Sequence, residues 1–484
     1  MTNPTRRAFL GAASAATATA MTTSLASRAA AAFSPRPTDV AVEDVSFEYE
    51  DYRYRAPLKF GGIVVERATI LNVTCAVRTR DGRAAKGFGS MPLGNVWSFP
   101  SRAHSYDETL AAMKALAGKI RDITAGRREP GHPIDINHDL EPDYLKAAVD
   151  AARERGLSEP IPKLCALVVA SPFDAAIHDA FGKAHGLNCY RTYGPEFMDR
   201  DLGDYLGPEF RGEPVGRYVS PKAKGRMPMY HLVGAVDPIT AEDVEKPIGD
   251  GLPETLPDWI AYNGLTHLKI KLNGEDLDWD VARVAKVERA AAAAQARRGV
   301  SEWAYSLDFN ERAPDVAYLL EFIDRLKAEA PDGFRRIQYI EQPTARDLSV
   351  VQPGELAPAA RVLPVVADES LTDYETLLMA RDRGYNGAAL KACKGQSHAV
   401  LLAAAAQKFN MFLCVQDLTC PGASLIHSAG LSAHIPSVRA IEANARQYMP
   451  DANRAWEPRF PGIFRVTDGT MDTSALDGPG LSVV

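Results

Sequence analysis

Short apolar runs alternate with helical segments between residues 227 and 444. Helices are predicted where amphipathic or Ala-rich segments separate the runs, as at 281–296, and one helix is predicted to begin at TDYE, residues 372–375, and to end near Gly384. Eight such alternations predict a (β/α) barrel. An open doubly wound sheet is the main alternative, but no G-x-G-x-x-G string follows a first strand, which favours the barrel. The eight predicted strands are 229–236, 267–272, 303–310, 336–342, 363–369, 387–393, 411–417 and 439–444.

Residues 40–193 follow a different pattern, with strand-like alternation first and helical periodicity afterwards. The stretch 69–79 is β-branched and partly alternating, and it ends at an Asp81-Gly82 turn, so it predicts a strand. Helical periodicity predicts three helices, at 107–122, 142–155 and 172–185. This part of the chain therefore predicts an α+β domain ahead of the barrel.

Glycine and proline mark further boundaries in the first half of the chain. The Gly-rich stretch 87–97 predicts a loop. The helix at 172–185 is predicted to open on Pro172 and to stop at Gly186. The stretch 194–226 is rich in proline, glycine and charge, and it predicts a linker or insertion before the barrel.

Composition narrows the possible functions. The chain has 484 residues, of which 46% are hydrophobic and 24% charged, values typical of a globular protein with one or two domains. A formal net charge of −7 argues against a nucleic-acid-binding protein, which should be basic. The six cysteines form no Cys-x-x-Cys pair, so a zinc ribbon is unsupported, and their spacing does not show whether any disulfide forms.

The N-terminal segment has the features of a targeting signal. Arg6 and Arg7 in TRRAFL precede a weakly apolar, Ala- and Thr-rich stretch and an Ala-rich cleavage zone. Residues 1–32 therefore resemble a twin-arginine signal, the alternative being a disordered tail with a chance arginine pair. We expect recognition by the twin-arginine export machinery, a periplasmic or otherwise exported protein, and no membrane association of the mature form.

Three carboxylates stand at the ends of consecutive predicted barrel strands. They are Asp308 in SLDFN, Glu341 in YIEQP and Asp368 in VADES. Residues at the C-terminal ends of barrel strands point into the active-site mouth, so we expect these three to converge. Oxygen ligands without histidine or cysteine suit Mg²⁺ or Mn²⁺. A single strand-end carboxylate is equally often a turn former, but three in succession favour a metal site.

Lysines flank these carboxylates. Lys269 and Lys271 are two residues apart on one strand, so both side chains lie on the same face. Burial and mutual repulsion are expected to lower a lysine pKa and to make one of them a base near neutral pH. Lys391 is expected on the other side of the mouth, whereas Lys394 has the opposite parity and is expected to be an ordinary exposed lysine.

Together these groups suit the removal of a proton next to a substrate carboxylate. A divalent cation would stabilise the enediolate that forms, and bases on two faces could remove and return the proton. Expulsion of a β-leaving group from the same intermediate is the alternative outcome.

The motifs themselves resemble a known family. KIK at 269–271, DFN at 308–310, IEQP at 340–343, ADES at 367–370 and LKACKG at 390–395 are similar to strings of the muconate-lactonizing-enzyme and mandelate-racemase branch of the enolase superfamily. The resemblance implies a TIM-like (β/α)7β barrel at 227–450 and an α+β capping domain at 40–193. It also implies that the tail 451–484 returns to that domain.

The resemblance also implies roles for individual residues. Asp308, Glu341 and Asp368 would bind Mg²⁺, Lys271 and Lys391 would be the acid/base pair, and Lys269 would tune Lys271. Substrate contacts are expected from Asn310 and from Met91 and Trp97 in the stretch 87–97. Gln416 and Glu442, at the ends of the last two predicted strands, are further candidates for substrate binding, and Asp417 beside Gln416 is a polar candidate without an assigned role.

Departures from the family pattern leave the substrate open. Gln396 replaces the second glycine of a Lys-x-Gly-Gly string, and Glu442-Ala443-Asn444 replaces the Asp-x-Asp of dipeptide epimerases, which argues against recognition of a dipeptide amine. We therefore expect a racemase or epimerase acting on a small carboxylate, with a lyase or cycloisomerase and a non-catalytic exported binding protein as alternatives. The family's habit of forming dimers and octamers implies a homo-oligomer.

Overall fold

The computed structural model describes residues 36–60 and 63–483. The predicted signal segment, residues 1–32, lies outside the described residues. The first described sheet is antiparallel and has the order β1-β2-β3, formed by β1 Val40–Phe60, β2 Ile63–Thr79 and β3 Ala84–Pro92. The predicted strand at 69–79 is the second half of β2, and Gly82 makes the following turn with φ +93°.

Four helices follow this sheet in the chain. They are α1 Asn95–Ser98, α2 Tyr106–Gly126, α3 Pro133–Glu154 and α4 Lys163–His185. The capping box of Ser105 and Glu108 begins α2, as its N-terminal sequence favours. The central part of α4 is buried along its whole circumference, because it packs between the sheet and the barrel.

The stretch 87–97, predicted as a loop, is instead the end of β3 followed by α1. Its glycines are required for close packing with α4. A Cβ on Gly87 would lie 2.1 Å from the Ala176 carbonyl oxygen, and one on Gly89 would lie 1.9 Å from that of Pro172. The glycines therefore allow a helix backbone to contact a strand backbone, and the loop prediction was wrong.

The predicted helix at 172–185 begins earlier, at Lys163, and Pro172 lies inside it. A proline cannot donate to the carbonyl four residues before it. The Ser171 hydroxyl donates to the Val168 carbonyl oxygen instead, at 2.8 Å, and the helix continues. It ends at Gly186 as predicted, with φ +66°. By length and composition α4 could cross a membrane, but its apolar window is fully buried, which is typical of a core helix.

The stretch 194–226 contains more ordered structure than a linker prediction implies. A short helix, α5 Leu202–Leu206, and two 3₁₀ turns, Pro208–Phe210 and Val215–Tyr218, lie within it. Phe210 is fully buried, because scattered apolar residues anchor the segment against the barrel helices.

The second sheet is a parallel barrel of eight strands, which confirms the predicted fold. Each strand overlaps its predicted stretch, neighbours pair in chain order, and the last strand pairs with the first to close the barrel. One short strand, β12 Thr470–Asp472, adds antiparallel to the barrel's first strand. The barrel strands are β4 Arg226–Val233, β5 His267–Lys271, β6 Ala304–Asp308, β7 Ile337–Glu341, β8 Val365–Ala367, β9 Gly387–Leu390, β10 Phe412–Val415 and β11 Ile441–Glu442.

Helices connect these strands and surround the barrel. Asp373, and not Thr372, is the N-cap of α11, whose end at Gly384 is as predicted. After the barrel, the tail returns to α4, where the Leu481 amide donates to Asp179 at 2.8 Å. The helices are α6 Leu256–Asn263, α7 Leu277–Arg298, α8 Val316–Glu329, α9 Pro331–Arg335, α10 Ala357–Ala360, α11 Tyr374–Arg383, α12 Gln396–Lys408, α13 Ala423–His434, α14 Ala445–Tyr448 and α15 Pro461–Phe464.

Candidate active site

Strand register brings the predicted carboxylates to one end of the barrel. Lys271 on β5 is directly opposite Asp308 on β6, and Asp308 is opposite Glu341 on β7. Asp368 follows the last residue of β8. These residues are fully or almost fully buried. Parallel strands in register end at the same level, so residues far apart in sequence meet at this mouth.

Nine of the eleven predicted site residues line one cavity at this mouth. The cavity is small. The centre of a water molecule can occupy about 10 Å³ of it, so it has room for about one water. A larger substrate therefore needs the wall to move. The nine are Trp97, Lys269, Lys271, Asp308, Asn310, Glu341, Asp368, Lys391 and Glu442.

Lys269 lies at the centre of the carboxylates. Its ammonium group donates to Glu341 and Glu442, each at 2.8 Å, and lies 3.0 Å from Asp308. Burial alone lowers a lysine pKa, but these carboxylates outweigh burial, and they raise the pKa of Lys269 well above its ordinary value.

Lys271 and Lys391 approach the cavity from opposite walls. The barrel order places three strands between β5 and β9 in either direction. Lys271 donates to Asp308 and, at 2.7 Å, to the Asn310 side-chain oxygen. Lys391 lies 2.8 Å from Asp368, and its ammonium is 4.6 Å from the centre of the Trp97 ring.

The predicted lowering of the pKa does not hold for Lys269. Asp368 outweighs burial and raises the pKa of Lys391, just as Asp308 and Glu341 raise that of Lys269. The sequence showed the lysines next to each other, and their pairing with carboxylates from other strands appears only in the fold.

Burial and neighbouring charges shift the pKa values of the three carboxyl groups in different directions. Burial raises a carboxyl pKa, but Lys269 and Lys271 hold that of Asp308 well below its usual range, and Lys391 and Lys394 lower that of Asp368. The pKa of Glu341 is raised well above its usual value by burial and by repulsion from Asp308 and Asp368. For Glu341, burial and repulsion from two other carboxylates thus outweigh its contact with Lys269.

Comparisons with known proteins show what the barrel region resembles. Residues 252–484 match the family model described as enolase C-terminal domain-like. No curated protein gives a significant match to the sequence. Among solved structures, a mandelate racemase/muconate lactonizing protein from Herpetosiphon aurantiacus is 18% identical, with a TM-score of 0.58 over 92% of this chain and 98% of that one.

Residues 252–484, which contain seven of the eight barrel strands, are thus similar to the C-terminal domain of enolase. Two further structures share the fold. A dipeptide epimerase from Enterococcus faecalis, complexed with Mg and a dipeptide, is 14% identical with a TM-score of 0.58, covering 91% of this chain and 99% of that one. An enolase from Bradyrhizobium, complexed with magnesium and mandelic acid, is 18% identical with a TM-score of 0.55, covering 92% and 96%.

The oxygen donors at this barrel mouth have the chemistry that suits a divalent cation. Six carboxyl groups lie at or directly behind the cavity wall against four lysines, which leaves a deficit of positive charge. Among the described residues no three acidic, histidine or cysteine side chains are arranged to hold a metal ion. Lysines already contact Asp308, Glu341 and Asp368, so a cation would have to displace them. The carboxyl groups are Asp308, Glu341, Asp368, Glu369, Asp417 and Glu442, and the lysines are Lys269, Lys271, Lys391 and Lys394.

Lys394, predicted to be an exposed lysine, is buried instead. Its ammonium donates to the carbonyl oxygens of Asp368 and Leu371, at 2.5 and 3.1 Å, and it lies 3.2 Å from the Asp368 carboxylate. The alternation of side chains along a strand predicted the wrong direction for Lys394, because β9 ends at Leu390 and a 3₁₀ turn follows. Lys394 therefore fixes the backbone that presents Asp368.

Of two further acidic residues of the site, Glu369 was not predicted, and Asp417 was predicted only as a polar candidate without an assigned role. Glu369 accepts from the Trp97 indole at 2.9 Å, and burial together with nearby Asp368 raises its pKa to about 7. Burial and Glu442 raise the pKa of Asp417 to about 8. Both follow residues already singled out in the sequence, but each lies past its strand end, where alternation no longer indicates direction.

Met91 and Gln416 are absent from the described residues that line the cavity. Met91 is fully buried, and its sulfur lies 3.5 Å from that of Cys420. Gln416 donates to Glu341 from behind the wall. Both support residues of the site, and a substrate would reach neither without displacing the wall.

Backbone conformations around the mouth are unusual for non-glycine residues. Asn310, Glu311, Gln342 and Thr419 all have positive φ, between 31° and 67°. Such conformations cost about 1–3 kcal/mol each and are typical of functional sites. In Asn310 this conformation accompanies contacts with both Lys271 and Glu369.

Proposed function

We propose that this protein abstracts the proton next to a carboxylate of a small organic acid and returns it to the opposite face, as a racemase or epimerase. The observation that carries the proposal is the position of Lys271 and Lys391. They line one cavity from opposite walls of a closed barrel, three strands apart in either direction. Inversion at carbon requires a base on one face and an acid on the other.

The chain's own residues divide the work. Lys269 offers its ammonium to the substrate carboxylate, while Lys271 removes or returns a proton from one side and Lys391 from the other. Asn310 and Asp308 hold Lys271 in place, and Asp368 and Trp97 hold Lys391. Trp97 also closes the cavity against water, which strengthens electrostatic interactions inside it.

Asp308, Glu341 and Asp368 would hold a divalent cation, with Mg²⁺ as the first candidate and Mn²⁺ as the second. The cation would supply positive charge that stabilises a substrate carboxylate as negative charge develops on it. The raised pKa of Glu341 supports this assignment, because it reports three carboxyl groups brought together with too little positive charge.

Deuterium exchange at the α-carbon tests the proposal. The protein is incubated with Mg²⁺ in D₂O against hydroxy acids, sugar acids and N-acyl amino acids, and mass and chirality are measured together. We expect deuterium incorporation with loss of optical activity, both abolished by chelation. Exchange accompanied by an elimination or ring-opened product would favour a lyase or cycloisomerase instead. Retained exchange after complete metal removal would contradict the metal assignment.

We also propose export through the twin-arginine pathway, on the sequence of residues 1–32 alone. Replacement of Arg6 and Arg7 by Lys should leave the protein in the cytoplasm, and fractionation measures this directly. Secretion unaffected by the double replacement would contradict the proposal. A homo-oligomeric state remains a prediction, which light scattering of the purified protein can test.

A further inference from the structure

Trp97 is the part of the mouth wall that does not belong to the barrel. Among the described residues that line the mouth, it alone precedes the first barrel strand. Its ring lies over Lys391, and its indole donates to Glu369 at 2.9 Å. The position of Trp97 therefore decides both how Lys391 is held and how much room the mouth has.

An arginine from the barrel holds the backbone of Trp97. Arg346 lies in the loop after β7, and its Nη2 donates to the Trp97 carbonyl oxygen at 3.1 Å. The start of α1 is held by its own domain instead, because the Asn95 side-chain amide donates to the Tyr106 carbonyl oxygen at 2.9 Å. Arg346 thus attaches the later part of α1 to the barrel.

Glu311 fixes the direction of the Arg346 side chain. The Nε and Nη2 of Arg346 donate to different oxygens of Glu311, both at 2.7 Å, and the Arg346 backbone amide donates to Glu311 at 2.9 Å. The two side chains are only 26% and 19% exposed. A two-point pair between a guanidinium and a carboxylate is geometrically specific, so it aims the remaining hydrogen of Nη2 at Trp97.

Glu311 also belongs to the turn that holds Lys271. It directly follows Asn310, whose side-chain oxygen accepts from Lys271 at 2.7 Å. Asn310 and Glu311 have φ of 44° and 67°, conformations that persist only where surrounding contacts enforce them. The pair with Arg346 provides such a contact, and the same ion pair therefore reaches the surroundings of both lysines.

We propose that the Arg346–Glu311 ion pair positions both acid/base lysines at once, Lys391 through Trp97 and Lys271 through Asn310. Arg346 is a positioning residue, because it acts through these neighbours and is absent from the described residues that line the mouth. The inference rests on the proposed function, to which it adds the group that holds the two lysines relative to each other.

Fluorine NMR of the full chain labelled with 5-fluorotryptophan tests the position of Trp97 without substrate or metal. The chain has five tryptophans, and Trp97→Phe identifies the resonance of Trp97. Arg346→Met should move this resonance towards that of free 5-fluorotryptophan in water and leave the other four in place. Thermal melting checks that each variant is folded. An unmoved Trp97 resonance in folded Arg346→Met would overturn the proposal.

Arg200→Met is the matched control for this measurement. Arg200 is similarly buried, with its side chain 22% exposed, and its Nη1 lies 2.9 Å from Asp139. Its replacement should leave all five resonances unchanged. A shift of the Trp97 resonance by this control equal to that caused by Arg346→Met would contradict a specific role for Arg346.

Proton exchange tests the effect on the two lysines. With a substrate found by the deuterium screen, Arg346→Met and Glu311→Gln should each slow α-proton exchange from both enantiomers about tenfold. Arg346→Lys keeps the charge and loses the two-point pair, so it should retain more activity than Arg346→Met. Slowing confined to one enantiomer would overturn the joint assignment. The fluorine measurement needs no substrate, so failure of this inference is distinguishable from failure of the proposed reaction.

Discussion

The Lys391 ammonium lies 4.6 Å from the centre of the Trp97 indole ring. Trp97 belongs to α1, which follows the N-terminal sheet, and Lys391 directly follows the barrel strand β9. A desolvated cation–π contact contributes about 2 kcal/mol, and it favours the charged lysine. The contact therefore joins the N-terminal part of the chain to the proposed chemistry.

Trp97→Leu should lower kcat/KM about tenfold or more for a substrate found by the exchange screen, because the ring no longer holds Lys391. Trp97→Phe is the matched variant. It keeps a ring over Lys391 and loses only the indole hydrogen bond to Glu369, so it should retain more activity. Steady-state kinetics measures both, and equal losses would contradict a role for the ring.

Replacing either proposed base should abolish proton exchange on one face of the α-carbon and leave it on the other. Lys271→Ala and Lys391→Ala should each lower racemisation by about a thousandfold, while each retains α-proton exchange with only one enantiomer. Lys286→Ala removes a half-exposed lysine paired with Asp243 and serves as the control. Proton NMR of each enantiomer in D₂O measures the exchange. Exchange of the same enantiomer by both variants would contradict the two-face assignment.

The metal assignment predicts different effects for two adjacent carboxyl groups, since Asp368 is a proposed ligand and Glu369 is not. Asp368→Asn should weaken Mg²⁺ affinity about 100-fold or more, since it removes one of three charged oxygen ligands. Glu369→Gln removes the next carboxyl group in the chain, which contacts Trp97 and Asn310, and it should change affinity far less. Calorimetric titration of both proteins measures the affinities, and the reverse order would exchange the roles of the two residues.

Close packing of β3 on α4 predicts a stability difference between two glycines. Gly89→Ala should reduce the free energy of unfolding by about 1–3 kcal/mol or more, because its Cβ would overlap the Pro172 carbonyl. Gly118→Ala is the control, since it lies within helix α2 with open space around it, and it should stabilise by about 0.5–1 kcal/mol. Urea unfolding measures both. A harmless Gly89→Ala would contradict the strand-on-helix contact.

His427 predicts loss of stability in acid. It is buried in α13 with both ring nitrogens unpaired among the described residues, and burial, with Lys183 nearby, lowers its pKa to about 3. The unfolded chain binds a proton near pH 6.5 and the folded chain does not, so stability is complete above pH 6.5 and falls as the pH decreases towards 3. Between pH 6.5 and pH 5 the loss from this group is about 2 kcal/mol.

His427→Leu isolates that contribution, because leucine fills a similar volume and does not titrate. The unfolding free energy of the variant minus that of the wild type is measured by urea titration from pH 5 to pH 8. This difference should decrease as the pH rises, because only the wild type gains stability. A difference that does not change with pH would contradict the assignment.

The sequence by itself determined the barrel and the positions of its chemistry. Alternating apolar runs place eight strands in chain order, and parallel strands in a barrel end at the same level. Asp308, Glu341 and Lys391 could therefore be assigned to one mouth without coordinates, because each follows a mainly apolar run in the sequence.

Only the tertiary structure decided which group faces which. The role of Lys394 depends on a turn after β9, and the raised lysine pKa values depend on carboxylates from other strands. Gly87 and Gly89 looked like loop residues because the helix that requires them lies about 90 residues further along the chain. Local periodicity reports the face of an element, whereas contacts between distant elements depend on how the whole chain packs.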